Sequence, residues 1–476
     1  MLKNATLYLG TSALNKALTF LLLPLFTHLM APGDFGLVRQ VLAIAGFLII
    51  VSTFGLDESI AREYFDQRHD EAAKRPRVRG IVRISLAFSV VGGLGAAVLL
   101  SFFSGQVIGQ DVSSQIAIGV SIYVAGTPIV NVYKKVLRVD EQPLKYAGVV
   151  LANTLAFIAL AIIFIRFLLM GAEGYVVALS LVTAGLTIYA LGQFEVCSFR
   201  ESKRVELTRK ALAYGVAVLP HSLFSWFVSG ATVLAVGIFE SAESVGVFVA
   251  VGFVPSMLNV LVLAIFDAYQ PWTYRTLRAG ADHHEKYVLA ARTIGLFVVI
   301  IGGVLASFSP ELTRLFIDGR YHAGLELAPL LTLSAVFVGL GSVPVFVLYY
   351  YRDATRLIGR ASFVGAGVNV CLLVLLIPPF GLMGAAMSLV VANLGIALLK
   401  QRFADIVLGQ SLRSWDLYVW ACIFCLIPSY LNWSEHGLWF RASSCVVILV
   451  LMLSMLHQDI RGAAAYVKSG WRQGRG

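Results

Sequence analysis

Charge is scarce in this chain. Only 13% of its 476 residues are Asp, Glu, Lys or Arg, and the mean hydropathy is +0.81. That balance excludes a soluble domain of this length, which keeps a largely polar and charged surface in water. Strand-like alternation is also missing: Leu, Ile, Val and Phe come in long blocks, which argues for helices and against a β-barrel. There is no Walker loop, no paired Gly-rich phosphate cradle and no soluble segment in which to house one, so an ATP-driven pump is excluded and an enzyme disfavoured. The five cysteines point to no redox chemistry. Cys422 and Cys425 form a CxxC, but inside an apolar run without His or further Cys ligands, and packing explains them. His283 and His284 sit in a hydrophilic loop rather than a metal site. No metal and no organic cofactor is expected. A cleavable signal peptide is not evident either, because the first apolar run is long, carries a lysine and continues directly into a second.

What is present is a series of apolar runs long enough to cross a bilayer, each about 20 residues. Fourteen can be placed, from 5–30 and 37–57 at the start to 417–433 and 438–456 at the end. The expected fold is therefore an all-α polytopic membrane protein of about 14 transmembrane helices. An even number of spans puts both termini on one side. With that side cytoplasmic, the great majority of the 37 lysines and arginines fall in cytoplasmic segments; the exceptions are Lys16, Arg39, Arg166, Arg314, Arg320 and Arg441. The positive-inside rule then gives a cytoplasmic N- and C-terminus. The net charge of +10 is topological, spread over many segments rather than one face, and does not imply a nucleic-acid partner.

An internal repeat divides the chain. GTPIVNVYKKVLR at Gly126 and GSVPVFVLYYYRDATR at Gly341 align Pro128 with Pro344 and Tyr133 with Tyr349, and Asn153 matches Asn369 at the same offset. GAEGYVVALSLV at Gly171 resembles GLMGAAMSLVV at Gly381 at a slightly shorter one. Six spans per copy imply parallel repeats related by an axis along the membrane normal. The expected organisation is an N-lobe over 1–206, a C-lobe over 207–404, and two further spans with a basic cytoplasmic tail over 405–476. In span three, VVGGLGAA (Val90 to Ala97) offers small residues for close helix packing.

The first hairpin holds the unusual chemistry. Lys16 lies mid-way along the first apolar run, where a charge costs on the order of 2.5–3.5 kcal/mol on insertion scales. Tyr8, Ser12, Asn15, Lys16 and Thr19 form one polar stripe at helical spacing, which should face a protein-lined or water-filled cavity. The second span opens with Arg39 and closes with Asp57 and Glu58. Span seven carries a matching stripe, His221, Ser222, Ser225, Ser229 and Thr232, beside Trp226. Span eight adds Gly252, Ser256, Asn259, Asp267 and Gln270, with Pro255 as a site for a kink. Spans one, two, seven and eight are the expected cavity-lining elements. Lys16 could instead form a structural pair or snorkel, and a lone His is often only a satisfied polar residue. With no soluble catalytic domain and the longest outside loop about twenty residues, a secondary transporter explains these features best.

The stretches LKNATLYLGTSALNKALTFLLLPLFTHLMAPGDFG, FGLDESIAREYF and VYKKVLRVDEQPLKYA, with the fourteen-span plan, resemble bacterial polysaccharide flippases. These belong to the multidrug/oligosaccharidyl-lipid/polysaccharide exporter superfamily. The resemblance implies two six-helix lobes around a central cavity plus two C-terminal helices, placed in the bacterial inner membrane. It implies alternating access that carries an undecaprenyl-diphosphate-linked oligosaccharide from the inner to the outer leaflet. The partners it implies are that glycolipid, membrane lipids, and the polysaccharide polymerase and export machinery. Under it the diphosphate calls for a desolvated cation: Lys16 first, with Arg39 and Arg292 in support. Ser12, Asn15, Ser225, Trp226 and Asn259 are the neutral cavity candidates; Asp57, Glu58, His221 and Asp267 are candidates for coupling to H+ or Na+. A lipid II flippase and a multidrug cation exporter of the same superfamily remain alternatives. The exporter predicts an acidic cavity, against which mid-membrane Lys16 argues.

Overall fold

The computed structural model describes residues 2–57, 71–194, 205–279, 284–412, 414–433 and 438–455. Glu58, the loop that begins at Arg62 up to Asp70, and the tail from Leu456 lie outside the described residues. The chain divides into two compact units, Met1–Val249 and Ala250–Gly476.

The first unit is built from helices α1 (Leu2–Leu29), α2 (Pro32–Thr53), α3 (Glu71–Ile108), α4 (Ser114–Val139), α5 (Pro143–Ile162), α6 (Gly171–Gln193) and α7 (Val205–Phe239). The start of α8 (Ala242–Val251) completes it. Proline at the first position of α2 and α5 suits a helix start, where its missing N–H has no partner to lose. Helix α2 is central and packs against α3, α4, α6 and α7, while α1 lies along α5. Phe26 of α1, Phe157 of α5 and Tyr175 of α6 meet as an aromatic triad with ring centroids 4.7–5.6 Å apart. Each such contact adds about 0.5–1.5 kcal/mol beyond the area it buries.

The second unit continues with α9 (Phe253–Arg278), α10 (His284–Ser307), α11 (Ser309–Phe316), a 3-10 segment (Gly319–Leu327), α12 (Ala328–Ser342), α13 (Val345–Tyr350), α14 (Thr355–Leu408), α15 (Trp415–Trp433) and α16 (Leu438–Met455). One contiguous core runs through it, with Leu258, Tyr287, Val336, Phe337 and Phe424 fully buried. The kink expected at Pro255 falls at Gly252, between α8 and α9. Proline lacks the N–H that would bond the carbonyl four residues back, and its ring crowds that carbonyl, so the helix breaks just upstream.

Among the described residues, nine helices are long and apolar enough to cross a membrane, ten when the broken pair α8–α9 is counted as one. Helix α14 is two helices merged across Gly381, whose backbone is left-handed at φ 55°. Its 54 residues would stretch about 80 Å if straight, far beyond a hydrocarbon core of about 30 Å, so the turn at Gly381 is required. Gly171 carries nearly the same φ, 53°. The two glycines that the repeat pairs thus make the same left-handed entry into a helix. The prolines that it pairs behave differently: α4 runs on through Pro128, whereas Pro344 separates α12 from α13.

Two of the three glycines of VVGGLGAA, Gly92 and Gly93, do what their size suggests. A Cβ added at Gly93 would come within 2.8 Å of the Ala125 Cβ and 2.9 Å of the Ser121 carbonyl oxygen, so α3 and α4 touch backbone to side chain. Two residues on, Gly95 has nothing within 4 Å. Gly93→Ala is therefore expected to destabilise the protein by about 1–3 kcal/mol through overpacking. Gly95→Ala should be neutral or gain up to about 1 kcal/mol of helix propensity. Thermal denaturation of the two variants in the same detergent separates them; equal behaviour would refute close α3–α4 contact.

Candidate functional site

The polar stripe of α1 splits in two. Tyr8 and Asn15, two turns apart, face protein: the Tyr8 hydroxyl donates to the Leu137 carbonyl at 3.2 Å, and Asn15 Oδ1 accepts from Thr154 Oγ1 at 2.6 Å. The Tyr8 ring also meets Tyr146 at 5.4 Å. Tyr146 in turn is covered by the Arg138 guanidinium, which donates to its hydroxyl. Ser12 and Lys16 are half-buried, and Thr19 is exposed. Asn15 therefore fixes α1 against α5 at the level of Lys16, one residue along. A half-buried ammonium is held in register with a satisfied polar pair.

Arg39 stands on α2, about 10 Å along the helix from its start. It is half-buried, and its guanidinium carbon lies 4.5 Å from the centroid of the Phe35 ring. Stacking on an aromatic face supports a cation by about 0.5–2 kcal/mol. The Arg39 Nε is buried and has no hydrogen-bond partner among the described residues. Next to it Gln40 is fully buried; its Nε2 donates to the Ile108 carbonyl at 2.9 Å, and its amide lies across Gly237, where a Cβ would sit 1.7 Å from Nε2. Gln40 was not among the residues singled out by sequence. A lone amide in the apolar run LVRQVLAIAG was the available signal.

Trp226 crosses from α7 to α2. Its Nε1 donates to the Ala43 carbonyl at 2.8 Å, its ring lies 4.9 Å from Phe47, and Gly230 leaves the space it occupies. Ala43 is one turn from Arg39 on α2. Of the rest of the α7 stripe, Thr232 is buried and bonds the Val228 carbonyl, Ser225 and Ser229 are exposed, and His221 is half-buried. Asp57, just beyond α2, is half-buried. Within the first unit Ser12, Asn15 and Lys16 thus lie on α1, Arg39 on α2, and Trp226 on α7 in contact with α2.

The remaining candidates belong to the second unit. Asn259 and Asp267 are exposed on α9. Arg292 of α10 donates to Asp416 Oδ2 of α15 at 2.8 Å, with 15% of its side chain exposed against 39% for Asp416. That pair ties two packed helices of the unit together. No group of three or more His, Cys, Asp or Glu side chains able to hold a metal occurs among the described residues.

If Trp226 is a packing strut between α7 and α2, its indole N–H and its ring contribute separately. Trp226→Phe keeps an aromatic ring and loses the bond to Ala43 and part of the packed volume, a cost of about 1–2 kcal/mol. Trp226→Ala also opens a cavity and should cost about 3–5 kcal/mol. Thermal unfolding in detergent should rank wild type, Phe and Ala in that order. A Trp226→Ala variant as stable as wild type would refute the strut.

Comparison with known proteins adds the following. Residues 1–277 match the model of the family described as "Polysaccharide biosynthesis protein". An uncharacterized membrane protein of Methanocaldococcus jannaschii is 23% identical over 456 residues, covering 90% of this chain and 88% of that protein. The lipid II flippase MurJ, in an inward closed conformation, superposes with a TM-score of 0.70 at 12% identity, covering 96% of this chain and 99% of that one. An inward-facing multidrug resistance MATE family transporter of the MOP superfamily gives 0.62 at 16% identity, covering 84% and 94%. At these identities the likeness is one of fold.

Proposed function

Because the chain belongs to the polysaccharide biosynthesis protein family, we propose that it is a flippase that carries an undecaprenyl-diphosphate-linked oligosaccharide from the inner to the outer leaflet of the bacterial inner membrane. The single observation that carries the reading is Arg39. A half-buried guanidinium, stacked on Phe35 and with a buried Nε that no described residue accepts from, stands within a helix long and apolar enough to span. Taking a charged donor out of water without an acceptor is costly, and an anionic ligand is what such a group lacks. Arginine presents a planar fork of donors that matches phosphate oxygens, and lysine a point charge for the same target. Lys16 and Arg39 are accordingly the diphosphate-binding residues, with Ser12 and Asn15 as polar lining. Ser225 and Asn259, both exposed, are offered to the sugar, and Trp226 supports the wall. Arg292 takes part only where its pair with Asp416 opens. The lipid tail stays in the bilayer throughout.

Movement follows from the fold class: two lobes of six helices, 1–206 and 207–404, with two further helices to make fourteen, rock to expose the cavity alternately to each side. Asp57, Glu58, His221 and Asp267 are the groups whose protonation or Na+ binding would couple that motion to an ion gradient. Polymerase and export machinery would receive the glycan.

Two experiments test this. A deletion strain should accumulate lipid-linked oligosaccharide in the inner leaflet, measured by mass spectrometry with leaflet-specific labelling. Wild type should rescue fully, Lys16→Arg and Arg39→Lys in part, and Lys16→Met and Arg39→Gln poorly. Loss of a charge-assisted contact of about 1.5–3 kcal/mol corresponds to a roughly ten- to hundredfold weaker engagement. An unchanged glycolipid pool with disturbed peptidoglycan precursors would favour the lipid II reading instead. For orientation, alkaline phosphatase fused after Arg320 should be active and fused after Arg278 inactive; the reverse pattern would overturn the cytoplasmic placement of the termini.

A further inference from the structure

Among the described residues a single charged side chain is buried: Asp405, with 8% of its surface exposed. It stands in the last turn of α14, which ends at Leu408 and passes into a left-handed Gly409. The second half of that helix, from Gly381 to Leu408, is about 40 Å long against a hydrocarbon core of about 30 Å. It is long enough to carry its last turn past the core. Two features of this place disfavour the carboxylate form. A helix C-terminus carries the negative end of the macrodipole, and the last turn of α14 has no basic residue. Burial away from water penalises the charged form and spares the neutral acid. Nothing in the stretch QRFADIVLG marks Asp405 as more than an acid near a helix end.

The groups packed against Asp405 are neutral. Its Oδ1 accepts from the buried Leu412 N–H at 2.9 Å, across the turn that joins α14 to α15. Tyr287 of α10 and Tyr418 of α15 stand within electrostatic reach. Among the described residues the one charged group that acts on it is Arg402, which is exposed and one turn back on the same helix. Arg292 of α10 reaches the start of α15 but is committed to Asp416 at 2.8 Å. Behind Tyr287 the polar groups continue: the Tyr269 ring of α9 stacks on it with centroids 6.3 Å apart, and the Tyr287 hydroxyl donates to the Val343 carbonyl at 3.2 Å. Tyr269 Oη, Thr273 Oγ1 one turn along α9, and Gln401 Nε2 one turn before Asp405 are buried with no hydrogen-bond partner among the described residues. Buried polar groups are ordinarily paired, so three orphans in the neighbourhood of the one buried acid are not explained by packing. Hydroxyls both donate and accept, which is what handing on a proton requires.

We propose that Asp405 is a proton-binding group of the second unit, and that proton uptake there loosens the turn between α14 and α15. The proton comes from water, the new O–H bond forms at Oδ2, and the negative charge is neutralised. Oδ1 still accepts from Leu412 as the carbonyl oxygen of the acid, but the bond loses its charge assistance, about half of its strength. The body of α15 is seated independently of that bond. Arg292 holds Asp416, the Tyr418 ring lies 6.1 Å from Phe337 of α12, and Phe424 fills the space that Gly303 leaves. Protonation therefore acts on the turn rather than on the seat of the helix. A metal ion suits the place less well, because a single carboxylate is present where hard cations take several charged or carbonyl oxygens. The inference rests on the flippase reading only in what the movement serves: it adds a coupling group to Asp57, Glu58, His221 and Asp267.

The test follows the full-length protein in detergent by infrared difference spectroscopy as the pH is lowered. Protonation of Asp405 should add a carboxylic C=O band before the exposed carboxylates titrate, at about pH 4. Asp405→Asn, which keeps an acceptor for Leu412 and takes no proton, should lack that band. Asp405→Glu should restore it at a shifted midpoint, and it carries the comparison if Asp405→Asn melts early. Trp415, the first residue of α15, has its ring 6.4 Å from Tyr418 and reports on the turn. Its fluorescence, identified by subtracting Trp415→Phe, should change with the same midpoint in wild type and stay constant in Asp405→Asn. Identical difference spectra for wild type and Asp405→Asn, an unshifted midpoint in Asp405→Glu, or a band that appears only with the exposed carboxylates would overturn the proposal. So would loss of the band on adding sodium at constant pH, which gives the site to Na+. None of these readings needs a glycolipid, so the two ideas fail separately: an unchanged glycolipid pool in the deletion strain removes the flippase reading and leaves the titration standing.

Discussion

The first unit depends on how closely α2 approaches α7 and α8. In lipid, no hydrophobic effect drives two helices together; what holds them is dispersion and shape, which require small residues at the contact. Three glycine contacts provide this. A Cβ at Gly36 would come 1.7 Å from the Ala242 carbonyl oxygen, one at Gly246 would come 2.1 Å from that of Pro32, and one at Gly215 would come 1.9 Å from that of Phe54. The two ends of α2 are thus pinned by backbone contact. Trp226 and Gln40 fill the stretch between, each bonding a main-chain carbonyl of a neighbouring helix. No side chain larger than hydrogen fits at the three glycines without moving a helix.

That pinning decides what the charged residues of the hairpin can do. Helix α2 is packed on α3, α4, α6 and α7, so Arg39 has little freedom to rotate out of the protein. Its partner is the face of Phe35 rather than a carboxylate. The contrast with Arg292 is instructive. There the guanidinium meets Asp416 at 2.8 Å, and the charge is used to hold α10 to α15. Of the two arginines nominated from sequence, one is committed to a salt bridge and the other retains donor capacity. A transporter needs the second kind, since a cation already satisfied by protein must break that pair before it can hold substrate, at the cost of leaving a carboxylate unpaired.

Much of the fold was legible because hydropathy and helical period are properties of single stretches. The apolar runs fall on helices, and Gly92 and Gly93 of VVGGLGAA stand where a Cβ would clash. The paired Gly171 and Gly381 share a left-handed backbone, a feature that only a glycine-tolerant turn would keep at both positions. What escaped was partner identity. Nothing in the period of α1 says that Tyr8 and Asn15 turn toward α4 and α5 while Ser12 and Lys16 keep partial exposure. Trp226 stood beside the α7 stripe as a cavity candidate, yet its N–H direction is fixed by Ala43, a residue with no side-chain signal at all. Gln40 was overlooked for a related reason: its neighbour Arg39 held the stronger local signal, and the Ile108 carbonyl that it meets lies at the far end of α3. Pro255 was correctly read as a helix disruptor, but proline acts on the preceding turn, so the break came at Gly252.

Charge sign is a selector that the first unit carries in its hairpin. Lys16 lies on α1 and Arg39 on α2, with Asp34 in the first turn of α2, and two cations to one carboxylate favour an anion over a cation. Coulombic discrimination of this kind grows as water is excluded, because the same pair of charges interacts several times more strongly at an effective dielectric near 20 than in bulk water. Lys16 and Arg39 are both half-buried, so part of that gain is open to them, and it follows from the sign of the charges rather than from any fit to a ligand's shape.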